Sequence, residues 1–268
     1  MTVVSAFLVT GSPLPMLRPD NPAWAPLAQG YARAAEALSA SKPDAILLYS
    51  TQWIAVLDQL WQTRPHSLGT HVDENWYEFG DLPVDIRVDV PLAKACIDGC
   101  ASIGVSAKPV DYQDFPIDTG TIVADTMLNT LRVPLVIAAN NVYHDFASTE
   151  RMAAMAVAVA AGQGKRVAVV GVGGLSGAYF DRSIDIATDH VRHPADDAAN
   201  RAFLDALCAG SDAARAAVGA FASATKADMG MKHLAWVLGG TGGFSGAKVH
   251  GYGATYGAGA AVVEFVLA

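Results

Sequence analysis

Short, strongly apolar runs recur along this chain, each ending in a polar or glycine-bearing loop: Val3 to Thr10, Asp44 to Ser50, Pro134 to Ala139 and Arg166 to Gly171. A strand with one face in water alternates apolar with polar residues, so near-continuous apolar runs of this length suit strands covered on both faces. Between the first two lies Trp24 to Ala40, where Leu27, Tyr31, Ala34, Ala35 and Leu38 recur at helical spacing before Lys42-Pro43. Strand, helix and strand in that order predict an α/β fold, a central and mostly parallel sheet flanked by helices.

The rest of the chain extends this rhythm. Helices are expected over Pro91 to Gly104, Thr119 to Leu131, Thr149 to Ala161 and Asp228 to Leu238, with a strand over Val105 to Val110. Asp196 to Ala222 reads as one or two helices with a break near Gly210-Ser211. Ser67 to Val90 mixes alternation, aromatics and turn residues, as in a hairpin or extended flap. The glycine-rich stretch Gly239 to Gly259 interleaves Phe244, Tyr252 and Tyr256, which favours an ordered, tightly turning segment packed on the body; it leads into a strand over Ala260 to Leu267. No linker or internal repeat divides the chain, so a single domain over 1–268 is expected.

Composition removes several function classes. The chain is 52% hydrophobic and 16% charged, enough to bury a sizeable core. Its net charge is −8 and no block of Lys or Arg occurs, so nucleic acid is not an expected partner. The longest apolar stretch, Ala153 to Ala161, is far shorter than the ~20 residues that span a bilayer, so no membrane partner is expected either. The start has neither a basic leader region nor a cleavage site. Cys96 and Cys100, four apart on a helix face, read as packed thiols, and Cys208 leaves the count odd; a cytoplasmic protein is expected.

Local motifs nominate no catalytic group. Gly171-Val172-Gly173-Gly174-Leu175-Ser176-Gly177 follows a strand, yet a dinucleotide fingerprint would place its third glycine at 176, where serine stands. The segment is also not a phosphate-binding loop, because no Gly-Lys-Ser/Thr follows; it reads as a tight loop allowing close backbone approach. His190 and His193, beside Asp189, Asp196 and Asp197, suit a solvated face better than a metal site, as do His71, Asp73 and Glu74.

Several segments taken together are similar to one family. Phe7 to Pro15, Lys42-Pro43-Asp44 through Trp53, Phe115 to Thr121, Asn140-Asn141, Gly171 to Gly177 and the terminal Gly-Tyr-Gly segment resemble, in order, the class III extradiol dioxygenases. Trp53 to Asp89 resembles the branch that opens aminophenol rings with a non-catalytic α subunit and a homologous catalytic β subunit. Active members hold Fe(II) or Mn(II) with two histidines and a glutamate. By this resemblance the first histidine matches Gly11, the second Gln52, the acid–base histidine Gly177, and the glutamate falls near Ala224, with Asp228 about a turn on.

The resemblance therefore implies a metal-site-deficient subunit with no catalytic or metal-binding residue of its own and no cofactor in this chain. Its expected partner is a catalytic β subunit carrying Fe(II) or Mn(II), in an α2β2 assembly acting on 2-aminophenol or a related aromatic. Two alternatives stand beside this: an active metalloenzyme with ligands relocated to His71, His144 or His233, and a regulatory chain that binds a small molecule in the old pocket.

Overall fold

The structure, a computed structural model, describes residues 2–268. In chain order the elements are β1 (Val3–Val9), α1 (Leu14–Leu17), α2 (Ala25–Ser41), β2 (Ala45–Ala55), β3 (Gln59–Gln62), β4 (His66–His71), β5 (Leu82–Arg87), α3 (Val90–Cys100) and β6 (Ala107–Val110). They continue with α4 (Thr119–Leu128), β7 (Leu135–Asn141), α5 (Phe146–Gly162), β8 (Val167–Val172), α6 (Pro194–Cys208), α7 (Ser211–Thr225), α8 (Lys232–Thr241), β9 (Phe244–Thr255) and β10 (Ala258–Leu267).

Eight strands form one sheet in the order β6-β3-β7-β2-β8-β1-β10-β9. Its centre is parallel: β2 pairs with β7 and β8, and β8 pairs with β1. The β9–β10 hairpin extends one side antiparallel to β1, and β3 pairs antiparallel to β7 on the other. Every residue of β7 and β8 is buried, which is why these strands read as unbroken apolar runs. Aspartates start three flanking helices, Asp89, Asp118 and Asp145 accepting from the backbone N–H of Leu92, Thr121 and Ser148. Between sheet and helices Tyr49 stacks on Trp236 with centroids 5.5 Å apart, and Trp61 tilts against Trp236 at 6.2 Å. Cys96 and Cys100 are buried free thiols. Among the described residues no helix is long and apolar enough to cross a membrane.

The structure departs from the sequence expectations where tertiary contacts override local pattern. Strand β2 does not stop at Ser50 but runs on to Ala55 through a bulge, with Gln52 and Ile54 outward and Trp53 and Ala55 inward. Strand β3 has no sequence signature. Gln59 is buried there because its side-chain amide donates to the Ala139 carbonyl at 2.8 Å. The glycine-rich stretch supplies β9, and Gly251 lies so near α2 that a Cβ would stand 2.5 Å from the Pro26 carbonyl oxygen. Tyr256 and Gly257, both at positive φ, make the two-residue turn into β10. The helix expected from Asp228 begins only at Lys232, because Met229, Gly230 and Met231 are left-handed. The antiparallel β4–β5 hairpin forms the flap, standing apart from the main sheet.

Candidate functional site

Parallel strands leave their carboxyl ends facing a crevice, the usual place for a ligand in an open α/β sheet. Here a cleft of about 690 Å³ opens beyond the ends of β1, β2 and β8. Thr10 to Pro13 and Thr51 to Ile54 form its floor. The tip of the flap contributes His71 and Asp73 to Trp76, the approach to α4 adds Phe115 to Thr119, and the remainder comes from Gly174, Ser176, Gly177, Tyr179, Lys226 to Met229 and the β9–β10 turn at Thr255, Ala258 and Gly259.

Gly11, Gln52 and Gly177 all line this cleft, so the structure gathers three of the four positions singled out from the sequence. Ala224 does not join them. It is exposed on α7, whereas Asp228 lines the cleft. The left-handed run Met229 to Met231 replaces the first turn of the expected helix and sets where this segment turns, a feature invisible to residue spacing. The thiols, Asp196, Asp197 and the His190 and His193 pair all lie outside it.

The corner between β1 and β2 is filled by Gln52. Its amide Nε2 donates to the Gly11 carbonyl at 3.2 Å. A Cβ at residue 11 would stand 2.7 Å from that nitrogen and 3.0 Å from the Gly120 Cα; a Cβ at residue 120 would stand 3.2 Å from the Gln52 carboxamide carbon. The two glycines thus leave the room in which the glutamine side chain lies. At Gly177 a Cβ would come 2.5 Å from the Lys226 carbonyl oxygen, so this backbone admits no larger residue there without moving.

The acids of the cleft differ in how fully they are committed. Asp118 Oδ1 accepts from Ser50 Oγ at 2.5 Å and from the Thr121 N–H, and its Oδ2 accepts from Thr121 Oγ1. Asp73 accepts from the N–H groups of Asn75 and Trp76 and from Thr119 Oγ1, which in turn accepts from His71 Nε2 at 2.9 Å; this ties the flap tip to α4. Asp228 uses only Oδ2, which accepts from Thr51 Oγ1 at 2.7 Å and from the Gly174 N–H at 2.9 Å.

Beneath Gly173 lies His233, fully buried with no hydrogen-bond partner on either ring nitrogen. Burial drives its pKa down to about 4, with the nearby Asp228 charge opposing the shift. Behind the floor the buried Lys232 Nζ donates to Asn141 O at 2.8 Å and Asn140 Oδ1 at 3.2 Å, and Asn140 Nδ2 donates to Thr51 O. Burial lowers the Lys232 pKa.

A divalent iron or manganese ion in such a cleft needs imidazole and carboxylate donors converging on one point. These residues do not fit that need. The strand ends carry Gly11 and a carboxamide engaged with the backbone, Asp73 and Asp118 are committed to hydroxyl and backbone donors, Asp228 is held by Thr51 and Gly174, and the charge behind the floor is a lysine ammonium. Nor do other histidines relocate the site: His71 is held by Thr119, His233 is sealed under Gly173, and among the described residues no three His, Cys, Asp or Glu side chains converge.

The family described as the catalytic LigB subunit of aromatic ring-opening dioxygenase matches residues 7–263. The chain belongs to the LigB family. Two relatives come from a Pseudomonas species. A 2-aminophenol 1,6-dioxygenase alpha subunit is 54% identical over 269 residues, 99% of each chain. A 2-aminophenol 1,6-dioxygenase beta subunit is 30% identical over 156 residues, 56% of this chain and 50% of that one. The crystal structure of an uncharacterized protein from Escherichia coli K12 shares the fold, with a TM-score of 0.64 at 14% identity over 97% of this chain and 99% of that one. This LigB chain thus carries Gly11 and Gln52, neither of them an imidazole, at the ends of β1 and β2.

Proposed function

We propose that this chain is the non-catalytic subunit of a two-subunit ring-opening dioxygenase acting on 2-aminophenol or a related aromatic. Its partner is a homologous LigB chain that holds Fe(II) or Mn(II), and the two assemble as α2β2. The supporting observation is the conjunction of 54% identity over 99% of the length of an alpha subunit with a cleft whose strand ends carry Gly11 and Gln52 in place of metal donors. Loss of one ligand would read as retuning. Here imidazole is missing from both strand ends, and Gly177 leaves no room for a proton-transferring side chain. The role left to the chain is to stabilise and shape the catalytic subunit. Free, unbridged cysteines suit a reducing cytoplasm.

Co-expression with a catalytic LigB partner tests the reading. The expected result is co-elution of the two chains, with ring opening by the complex and none by this chain alone, even after iron or manganese is supplied. Ring opening by this chain on its own would overturn it.

A further inference from the structure

Strands β2 and β7 pair in parallel, and both run out at their carboxyl ends into apolar residues that face solvent. In the turn from β2 to β3, Val56 is half exposed and Leu57 is 90% exposed. Directly after β7 stand Val142 and Tyr143, the latter 79% exposed. The Val142 N–H donates to the Ala55 carbonyl at 3.0 Å, which makes the two turns neighbours. Half-exposed Ile54 and the partly exposed Met229 carry the same surface to the mouth of the cleft, which both line. The Met229 segment is tied to this corner by Lys232, whose ammonium donates to the Asn141 carbonyl at 2.8 Å. Neither turn is loose. Asp58 folds its carboxylate back, accepting from Ser106 Oγ at 2.6 Å and pairing with Lys108 at 2.7 Å. Asn141 Oδ1 accepts from the Tyr143 N–H at 3.0 Å.

Apolar side chains in water are stabilised only when something covers them, and turns pinned in advance lose little freedom when that happens. These six side chains expose on the order of 600 Å², the upper end of the range for a monomer's largest apolar patch and most of the about 800 Å² that each partner contributes to a standard interface. No charged residue interrupts Ile54 to Leu57 or Val142-Tyr143, as in the charge-poor centre of a specific interface. We propose that this patch is the face on which the homologous catalytic LigB chain docks, with Leu57 and Tyr143 as the side chains that enter the partner's surface. The inference locates the pairing given under Proposed function and rests on that reading, which supplies a second LigB chain to cover the face. A patch paired with a second copy of this chain would be withdrawn from the catalytic one.

Co-expression with a catalytic LigB chain, followed by co-elution at decreasing concentration, reads the strength of pairing. Leu57→Asp and Tyr143→Asp are each expected to weaken it roughly tenfold or more. Leu131→Asp, at an exposed leucine just before β7 and so at the opposite end of the sheet, should leave it unchanged. Urea midpoints close to that of the native chain check that the variants fold. Hydrogen exchange on the native chain, alone and paired, needs no variant: protection gained on pairing should fall on 54–58 and 142–145. Pairing of both Asp variants as tight as the native chain, or no gain of protection in these segments, would overturn the surface while leaving the subunit reading intact. A native chain that never pairs sinks that reading and the surface with it. A homodimer of this chain that Leu57→Asp dissociates, with catalytic pairing unchanged, would give the patch to a second copy and likewise overturn the proposal.

Discussion

Gly11 and Gln52 share one corner of the cleft, and each limits what the other can be. Replacing Gly11 by alanine puts a methyl group 2.7 Å from Gln52 Nε2, so the flexible amide must swing away and lose the Gly11 carbonyl. The expected cost of Gly11→Ala is about 1 kcal/mol, the net value of a hydrogen bond of this kind. In a Gln52→Ala background the same change should cost less. A double-mutant cycle by urea unfolding should therefore give a coupling of about 0.5 kcal/mol or more; strict additivity would contradict the shared corner.

His233 carries a pH prediction at the same scale. Its folded-state pKa of about 4 lies below the ordinary 6.5, so as pH falls the unfolded chain takes up the proton first. This group's contribution to stability is complete above pH 6.5 and drains away between 6.5 and 4, by about 3 kcal/mol in all. His144, lowered by burial and by Lys232, acts in the same direction. His233→Leu removes the titrating imidazole while keeping the buried site filled, and should flatten the fall of the urea midpoint between pH 7 and pH 5. An unchanged slope would contradict this reading. Gly11, Gln52 and Gly177 could be nominated only through family resemblance, since glycine and glutamine carry no chemical signature. Asp228 reached the cleft through a left-handed turn that no spacing rule foresees.

Among the elements, the crossing of α5 and α8 shows what a single hydrogen atom in place of a side chain can decide. Gly239 on α8 lies against the Glu150 carbonyl of α5, and a Cβ there would collide with backbone that cannot rotate aside. Gly239→Ala should therefore cost about 1–3 kcal/mol or more, read as a lowered urea midpoint with the slope unchanged. A variant as stable as the native chain would show that α8 can shift freely. The central strands and flanking helices were legible because burial on both sides of a sheet and one-sided burial of a helix write different apolar periods. Strand β3 was not, since the amide nitrogen of its buried Gln59 is held by a carbonyl of β7 far away in sequence. The glycines of β9 likewise hid a strand, because close packing against α2 rather than side-chain propensity selected them.

For the whole molecule, the parallel sheet places a cleft beyond its carboxyl ends, where a ligand would sit, and leaves the chemistry to the residues at the strand ends. On the proposed reading, those residues give this chain a supporting place beside a catalytic homologue. The most direct test is the metal content of this chain, separated from its partner after co-purification and measured by elemental analysis. Iron and manganese far below one ion per chain, with the ion retained by the partner, is the predicted result. A near-stoichiometric transition metal on the separated chain, held against a chelator, would contradict the account.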